Sequence, residues 1–334
     1  MRVGVTFDLR ADYLAMGFGE EETAEFDAPE TIDAICQTLA RLGQQPVRIG
    51  GIRRLAEALV RGERFDAVFN ICEGMKGAAR EAQVPALLDA YEIPYVFSDA
   101  LTLALSLDKA MAKHVVRDHG IRTPDFAVLE RAADTKRITL SHPLFVKPLC
   151  EGSGKGIDGR SLVNDASQLH AVVTSLIERF NQPVIVEEFV GGREFTVGIT
   201  GTGDDAEILG VTEICRTEKF IGEGYGYRNK EYWEDKVVIR LCEDEAGRSA
   251  GEVALAAWRA LRCRDGGRVD IRNDDRGNPN FIEVNPLAGL RPDYSDLCFI
   301  ANFKGISYDE LIGKIWTSFL RRHPELDKRG RAAA

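Results

Sequence analysis

The chain is poor in the side chains that bind soft metals. Its 334 residues include five histidines and seven cysteines, the latter at positions 36, 72, 150, 215, 242, 263 and 298. The cysteines are scattered, odd in number and without a CxxC pair, which argues against a zinc motif or a disulfide framework and for reduced, mostly buried thiols. The histidines show no ligand spacing, so metal chemistry would have to use oxygen ligands. An apolar run of about 18 residues is missing, and no membrane-spanning helix is expected. Positive charge is in deficit: the formal net charge is −10. That disfavours nucleic acid, which selects a basic surface. It leaves an anionic substrate open, because local lysines and bound cations decide such a contact. The opening segment, MRVGVTF, reads as a strand. No basic segment with an apolar run and a small-residue cleavage site precedes it, so a cytoplasmic location is expected.

What is present is a globular composition, 44% apolar and 29% charged, in a chain long enough for two or three packed subdomains. The first third alternates strands and helices. Asp27-Ala28-Pro29-Glu30 opens a helix in which Asp27 can cap, Pro29 tolerates an early position and Glu30 can reach back. Ile32, Ile35, Leu39 and Leu42 then recur at helical spacing up to Gly43. A short strand at 47–49, a helix at 52–61, a strand at 65–71, a helix at 81–91 and an extended piece at 93–97 follow. Such βαβ alternation implies a parallel sheet with right-handed crossovers. A helical stretch over 98–120 leads to strands at 126–129 and 144–148, and the run Gly152-Ser153-Gly154-Lys155-Gly156 must turn. Strands at 184–190, 194–200 and 207–214 follow. Residues 217–236 lack periodicity and read as a long loop, a kind usually functional or disordered. A helix at 244–262, a hairpin at 266–285, a helix at 307–321 and a frayed tail complete the chain.

The hairpin carries the most chemistry. Asp275-Arg276-Gly277-Asn278 is a turn signal between two strands. A symmetric turn places Asp270 opposite Glu283 and Arg268 opposite Asn285, all four on one face. Val269, Ile271, Ile282 and Val284 then share the core face. Facing carboxylates repel, and a hard divalent cation between them, with the Asn285 carbonyl as a further ligand, relieves this. Oxygen ligands favour Mg²⁺ or Mn²⁺ over zinc, although an exposed sheet face would carry such residues without any metal. Pro286 and Gly289 hold a turn beside this set, and Arg268 suits an oxyanion or phosphate.

Phe145-Val146-Lys147-Pro148 ends a strand directly before the Gly-rich turn, whose N–H groups can wrap a phosphate. The turn matches neither the P-loop nor the Rossmann fingerprint, since residue 149 is Leu and residue 157 is Ile. Lys147 and Lys109 could both reach phosphate oxygens, or be ordinary surface lysines. In Val184–Val190 a strand edge could offer backbone groups to an adenine, with Glu187 accepting from its amino group and Glu194 from ribose hydroxyls. A strand emerging into solvent would look the same.

These pieces, in this order, resemble the D-alanine–D-alanine ligase branch of the ATP-grasp superfamily. The carrying strings are TLALSLDKAMAKHVV, LFVKPLCEGSGKGI, VIVEEFVGGREFTVGI, Tyr-Arg-Asn-Lys-Glu-Tyr at 227–232, GGRVDIR and FIEVNPLAGL. The resemblance implies an α/β protein with a parallel N-terminal domain (1–97), a central ATP-grasp subdomain (98–184), a C-terminal ATP-grasp subdomain with the metal site (185–322) and a tail (323–334). It implies that ATP is gripped between two antiparallel layers, its phosphates met by Lys109 and Lys147, with Glu151, Gly152 and Ser153 in the loop that closes above them. Glu187, Glu188 and Val190 would line the adenine site and Glu194 would meet the ribose. Lys230 would close onto the γ-phosphate. Asp270, Glu283 and Asn285 match the ligands of two Mg²⁺ ions, and Arg268 with the Gly289 backbone matches the oxyanion site.

The departures touch substrate. The family's Gly-Gly-x-Ser-x-Glu stretch is replaced by DLRADYLAMGFGEEETAEFD, and its His-Gly-x-x-Gly-Glu-Asp segment by NICEGMKGAARE, where Glu81 can keep the acidic position. A family serine falls near Tyr294 and Ser295, and Glu231 separates Lys230 from Tyr232. The expectation is an ADP-forming carboxylate–amine ligase, working as a homodimer on small-molecule substrates. It would join an amino acid or small amine to another carboxylate, with a true D-alanine–D-alanine ligase and a non-catalytic ATP-binding module as alternatives.

Overall fold

The computed structural model describes residues 1–218 and 237–326. The long loop expected at 217–236, with Lys230 in it, lies almost wholly outside the described residues, as does the end of the tail. Four strands, β1 (Arg2–Phe7), β2 (Gln45–Arg48), β3 (Ala67–Ile71) and β4 (Tyr95–Val96), form one sheet in the order β2-β1-β3-β4. Every pairing in it is parallel, as the βαβ alternation requires. β1 and β3 are buried almost throughout, which is what a parallel sheet covered on both faces demands.

Four further strands, β5 (Phe126–Leu129), β6 (Leu144–Pro148), β7 (Leu162–Val163) and β8 (Val184–Glu188), make an antiparallel sheet ordered β5-β8-β6-β7. Its core is closed by a helix at Ala166–Phe180, where Leu169, Val173 and Leu176 are buried. A third sheet runs β11-β10-β9-β12-β13, built from β9 (Glu194–Thr200), β10 (Glu207–Arg216), β11 (Val237–Leu241), β12 (Gly266–Asn273) and β13 (Pro279–Asn285). The helix Glu245–Ala260 packs Trp258, fully buried, against Phe195, Val269 and Phe281 of that sheet.

One apolar cluster joins the parallel sheet to the C-terminal helices, bringing Val5, Ile35 and Phe69 together with Leu297, Ile315 and Trp316. The last helix, Tyr308–Arg322, starts at a reciprocal capping box between Ser307 and Glu310. Arg322 near its end pairs at 2.5 Å with Asp265, which also accepts from the Phe97 amide and the Ser318 hydroxyl, both at 2.8 Å. The site therefore lies between rigidly docked layers.

The helix expected from Ser98 to Gly120 is two. Asp108 is extended and accepts from the Ala110 and Met111 amides at 2.9 and 3.0 Å, capping a second helix, Lys109–Asp118. Lys109 is thus the first residue of a helix. Asp27 is not a cap: Ala28 holds that position, before the helix Pro29–Arg41, without a side-chain bond. All seven cysteines are free, and no described helix is long and apolar enough to cross a membrane.

Candidate active site

The hairpin register matches the expectation where the chemistry sits. Arg268 faces Asn285, Val269 faces Val284 and Asp270 faces Glu283. One step nearer the turn it does not. A bulge leaves Ile282 unpaired, and Ile271 faces Phe281. Phe281 takes the core position expected of Ile282, fully buried, while Ile282 turns to the site face and lines a cavity. Bulges beside a site re-aim side chains in this way.

That cavity, about 920 Å³, lies between the two antiparallel sheets. Lys147 ends β6 and reaches Glu187 of β8 at 2.9 Å. Glu187 is also met at 2.7 Å by Lys113, one helical turn beyond Lys109 and fully buried. Burial pushes the Glu187 carboxyl up, but the charges and hydrogen bonds of Lys113 and Lys147 outweigh it and hold it at about 2. The expected use of Glu187 as an acceptor for an adenine amino group therefore meets an occupied carboxylate: it positions Lys147. Nor is β8 an edge strand, since β5 and β6 flank it. The chain beyond it, Phe189 and Val190, runs along the cavity wall, with the Phe189 amide donating to the Pro143 carbonyl at 2.9 Å. Glu188 lines the cavity while its carboxylate accepts from the Ser141 amide at 2.9 Å.

The far wall is flat and apolar. Phe145 stacks with Phe189 at 6.1 Å, and the Arg272 guanidinium lies over Phe189 at 4.8 Å. Arg272 also stands 3.6 Å from Glu194. A planar base above a polar ribose contact fits such a wall.

At the cavity's deep end charges converge. Lys109 stands 3.4 Å from Glu283, and its ammonium also donates to the Glu151 carbonyl. Arg268 pairs with Asp270 at 3.0 Å and with Asp296 at 3.2 Å. The Thr196 hydroxyl donates to Asp270 at 3.0 Å. The Asn285 side-chain nitrogen is buried without a hydrogen-bond partner among the described residues. No cluster of three or more His, Cys, Asp or Glu suited to a metal occurs among the described residues. The hairpin set is instead two carboxylates and an amide, all oxygen donors on one face, which fits a hard divalent cation and not a soft one.

A second cavity, about 1240 Å³, opens on the other side of this set. It contains Gly152, Ser153, Glu81, Gly289, Tyr294 and Ser295. Ser153, expected above the phosphates, faces this second chamber in a left-handed conformation, φ 50°. The Ser295 hydroxyl accepts from the Arg291 amide at 3.0 Å, closing the turn beside Gly289. Lys109, Glu151, Arg268 and Glu283 line both cavities.

A family model described as the D-ala D-ala ligase C-terminus matches residues 115–317. A D-alanine–D-alanine ligase of Bordetella petrii is 35% identical over 266 residues, 78% of this chain and 77% of the relative. The chain belongs to the D-alanine–D-alanine ligase family. It is therefore an ATP-grasp ligase of the ADP-forming kind. D-alanine–D-alanine ligase B of Xanthomonas campestris is 32% identical over 84% of this chain and 86% of the relative. An uncharacterized protein of Sinorhizobium fredii is 30% identical over 87% and 88%. The fold is that of the ATP-bound D-alanine–D-alanine ligase from Bacillus anthracis, with a TM-score of 0.73, 24% identity and 97% of this chain covered against 99% of that one.

Several residues of the site escaped the reading of the sequence. Lys113 had a signal, the helical spacing from Lys109 on one face. Glu25, Arg80 and Lys155 had none. They come from three distant segments and meet only in the fold, with Arg80 and Lys155 at 3.1 and 2.7 Å from Glu25.

Proposed function

We propose that this chain joins an amino acid or small amine to another carboxylate through an acyl phosphate. A single observation carries the reading: two cavities of different character meet at Lys109, Glu151, Arg268 and Glu283. One is flat, apolar and lysine-floored; the other is polar and roomy. ATP would supply the phosphoryl group that activates the carboxylate, and two Mg²⁺ ions, or Mn²⁺, held by Asp270, Glu283 and Asn285, would neutralise charge there.

Lys109 and Lys147 hold phosphate oxygens and bias the terminal phosphate toward the junction. Arg268, fixed by Asp270 and Asp296, turns its guanidinium charge to the carbonyl oxygen as the amine adds and phosphate departs. The Gly289 N–H, on the turn tied by Ser295, supplies a second donor. In a preorganised, water-poor site such donors act where charge develops. Lys230 would complete the phosphate site from its own segment. On family resemblance we also propose a cytoplasmic homodimer with the subdomain division at 97, 184 and 322.

The test is ADP release over D- and L-amino acids, singly and in pairs, with products identified by mass. Arg268→Ala should lower amide formation at least about 100-fold while ATP affinity stays within a few fold; unchanged turnover would remove Arg268 from the chemistry. The relatives named above support a second reading, a true D-alanine–D-alanine ligase, and a D-alanyl-D-alanine product would establish it.

A further inference from the structure

A lysine is a point charge on a flexible four-carbon stem, and it grips phosphate best when neighbouring groups fix its ammonium. Lys109 is fixed from two sides: Glu283 stands 3.4 Å away, and the Glu151 carbonyl accepts a hydrogen bond from it. The two contacts differ in kind. A carboxylate competes with phosphate for the charge, whereas a neutral carbonyl orients the ammonium and leaves its charge for the ligand. Where residues 150 and 151 sit therefore sets where Lys109 points.

That dipeptide is pinned on several sides. The Cys150 amide donates to the Gln182 side-chain oxygen at 2.8 Å, and the Cys150 carbonyl accepts from Arg80 at 2.8 Å. The Glu151 carboxylate accepts from the Gln182 side-chain nitrogen at 2.7 Å and meets Lys155 at 2.5 Å and Arg80 at 3.8 Å. Arg80 and Lys155 close a quartet through Glu25, at 3.1 and 2.7 Å. None of the four side chains is more than 14% exposed. Burial pushes the Glu25 carboxyl up, but the charges of Lys155 and Arg80 outweigh it and hold it at about 2. A buried network satisfied in this way fixes geometry.

Arg80 is the member that ties this block to the parallel sheet. It opens the 3₁₀ turn Arg80–Ala82 beyond β3. A Cβ on Gly74, at φ 70°, would lie 2.7 Å from the Arg80 carbonyl oxygen, so the intervening loop folds back there on a glycine. The same turn packs against the helix Ala100–Leu107, whose end leads into Asp108 and Lys109.

We infer that Arg80 is a positioning residue for the nucleotide phosphates: by holding the Cys150 carbonyl and the Glu151 carboxylate, it sets the Glu151 carbonyl that aims the Lys109 ammonium. The inference rests on the reading of Lys109 as a phosphate contact and names the residue that directs it. Arg80 is not among the described residues lining the nucleotide cavity, so its effect passes through the 150–151 turn.

The experiment measures calorimetric binding of two probes to the full chain: a non-hydrolysable ATP analogue with Mg²⁺, and AMP, which lacks the outer phosphates. Lys109→Ala should weaken the analogue at least about tenfold, the scale of a bond between charged groups, with AMP unchanged. Arg80→Gln, in protein shown by circular dichroism to be folded, should weaken the analogue about tenfold relative to AMP, the scale at which losing an outer partner loosens a binding group. In the Lys109→Ala background it should add nothing, because the two act as one unit. An unmoved analogue-to-AMP ratio, equal losses in both backgrounds, or equal losses of both probes would overturn the proposal. Should Lys109→Ala bind the analogue as the wild type does, the phosphate reading of Lys109 fails and the proposal with it; if Arg80→Gln alone is silent, that reading stands. Where Arg80→Gln does not fold, Arg80→Lys decides. It keeps the charge but puts one ammonium in place of the forked nitrogens on Cys150 and Glu25. The ratio should fall again, only while Lys109 is present, and an unchanged ratio would overturn the proposal.

Discussion

Glu187 and Glu81 are both buried carboxylates, and their surroundings send them in opposite directions. For Glu187 the two lysines win, and its folded value of about 2 lies below the ordinary 4.5. Its contribution to stability is present above 4.5 and lost as pH falls toward about 2. For Glu81 burial wins over the nearby Arg80, and its value rises to about 7. The folded state then holds a proton that the unfolded state releases, so that contribution is full below 4.5 and gone above about 7. Urea midpoints across pH should therefore show Glu187→Gln flattening the acid limb. Glu81→Gln should remove a decline toward neutrality; a steeper decline in that variant would contradict the assignment. Lys113→Met leaves Glu187 with one partner instead of two. Breaking a buried pair this way should destabilise by about 3–5 kcal/mol and raise KM for ATP, readable by thermal unfolding and steady-state kinetics.

At the scale of elements, the β12–β13 hairpin is where sequence and structure can be compared residue by residue. Alternation of Val269 and Ile271 against Arg268 and Asp270 identified the site face, because strand side chains point to alternate sides. The bulge was not legible, since Phe281 and Ile282 are both apolar and nothing local says which faces the core. Tertiary packing under Trp258 decides it. Gly267 shows how tight that packing is: a Cβ there would lie 2.5 Å from the Asn285 carbonyl oxygen and 2.8 Å from the Trp258 ring. Gly267→Ala should lower stability by about 1–3 kcal/mol and, by tilting Asn285, weaken Mg²⁺-dependent turnover; a variant with wild-type melting would contradict this. Asp108, by contrast, was a readable cap signal inside the run LALSLDKAMA, where acidic residues open helices. The helix at 166–180 also had one, Asp165 ahead of Leu169, Val173 and Leu176 at helical spacing.

At the scale of the whole molecule, the order of sheets was legible because periodicity and turn residues are local properties. The joining of distant segments was not. Residues 21–25 reach across to the Gly-rich turn: Glu25 pairs with Lys155 inside, and Glu21 pairs with Arg179 at the surface. The two contacts differ in consequence. Arg179 is 45% exposed, and Arg179→Ala should change stability by less than about 1 kcal/mol. Lys155 is buried, and Lys155→Met, which leaves Glu25 and Glu151 against Arg80 alone, should destabilise by about 3–5 kcal/mol. Equal effects of the two substitutions in thermal unfolding would show that the segment is not held by its interior pair.

Among the described residues the two chambers share four, and every other lining position belongs to one of them alone. Variation can therefore retune what enters the second chamber by altering the crest of the parallel sheet, without disturbing the nucleotide's seat. A lineage built on such a partition can change clientele by a few substitutions at the front of the chain while its energy source stays the same.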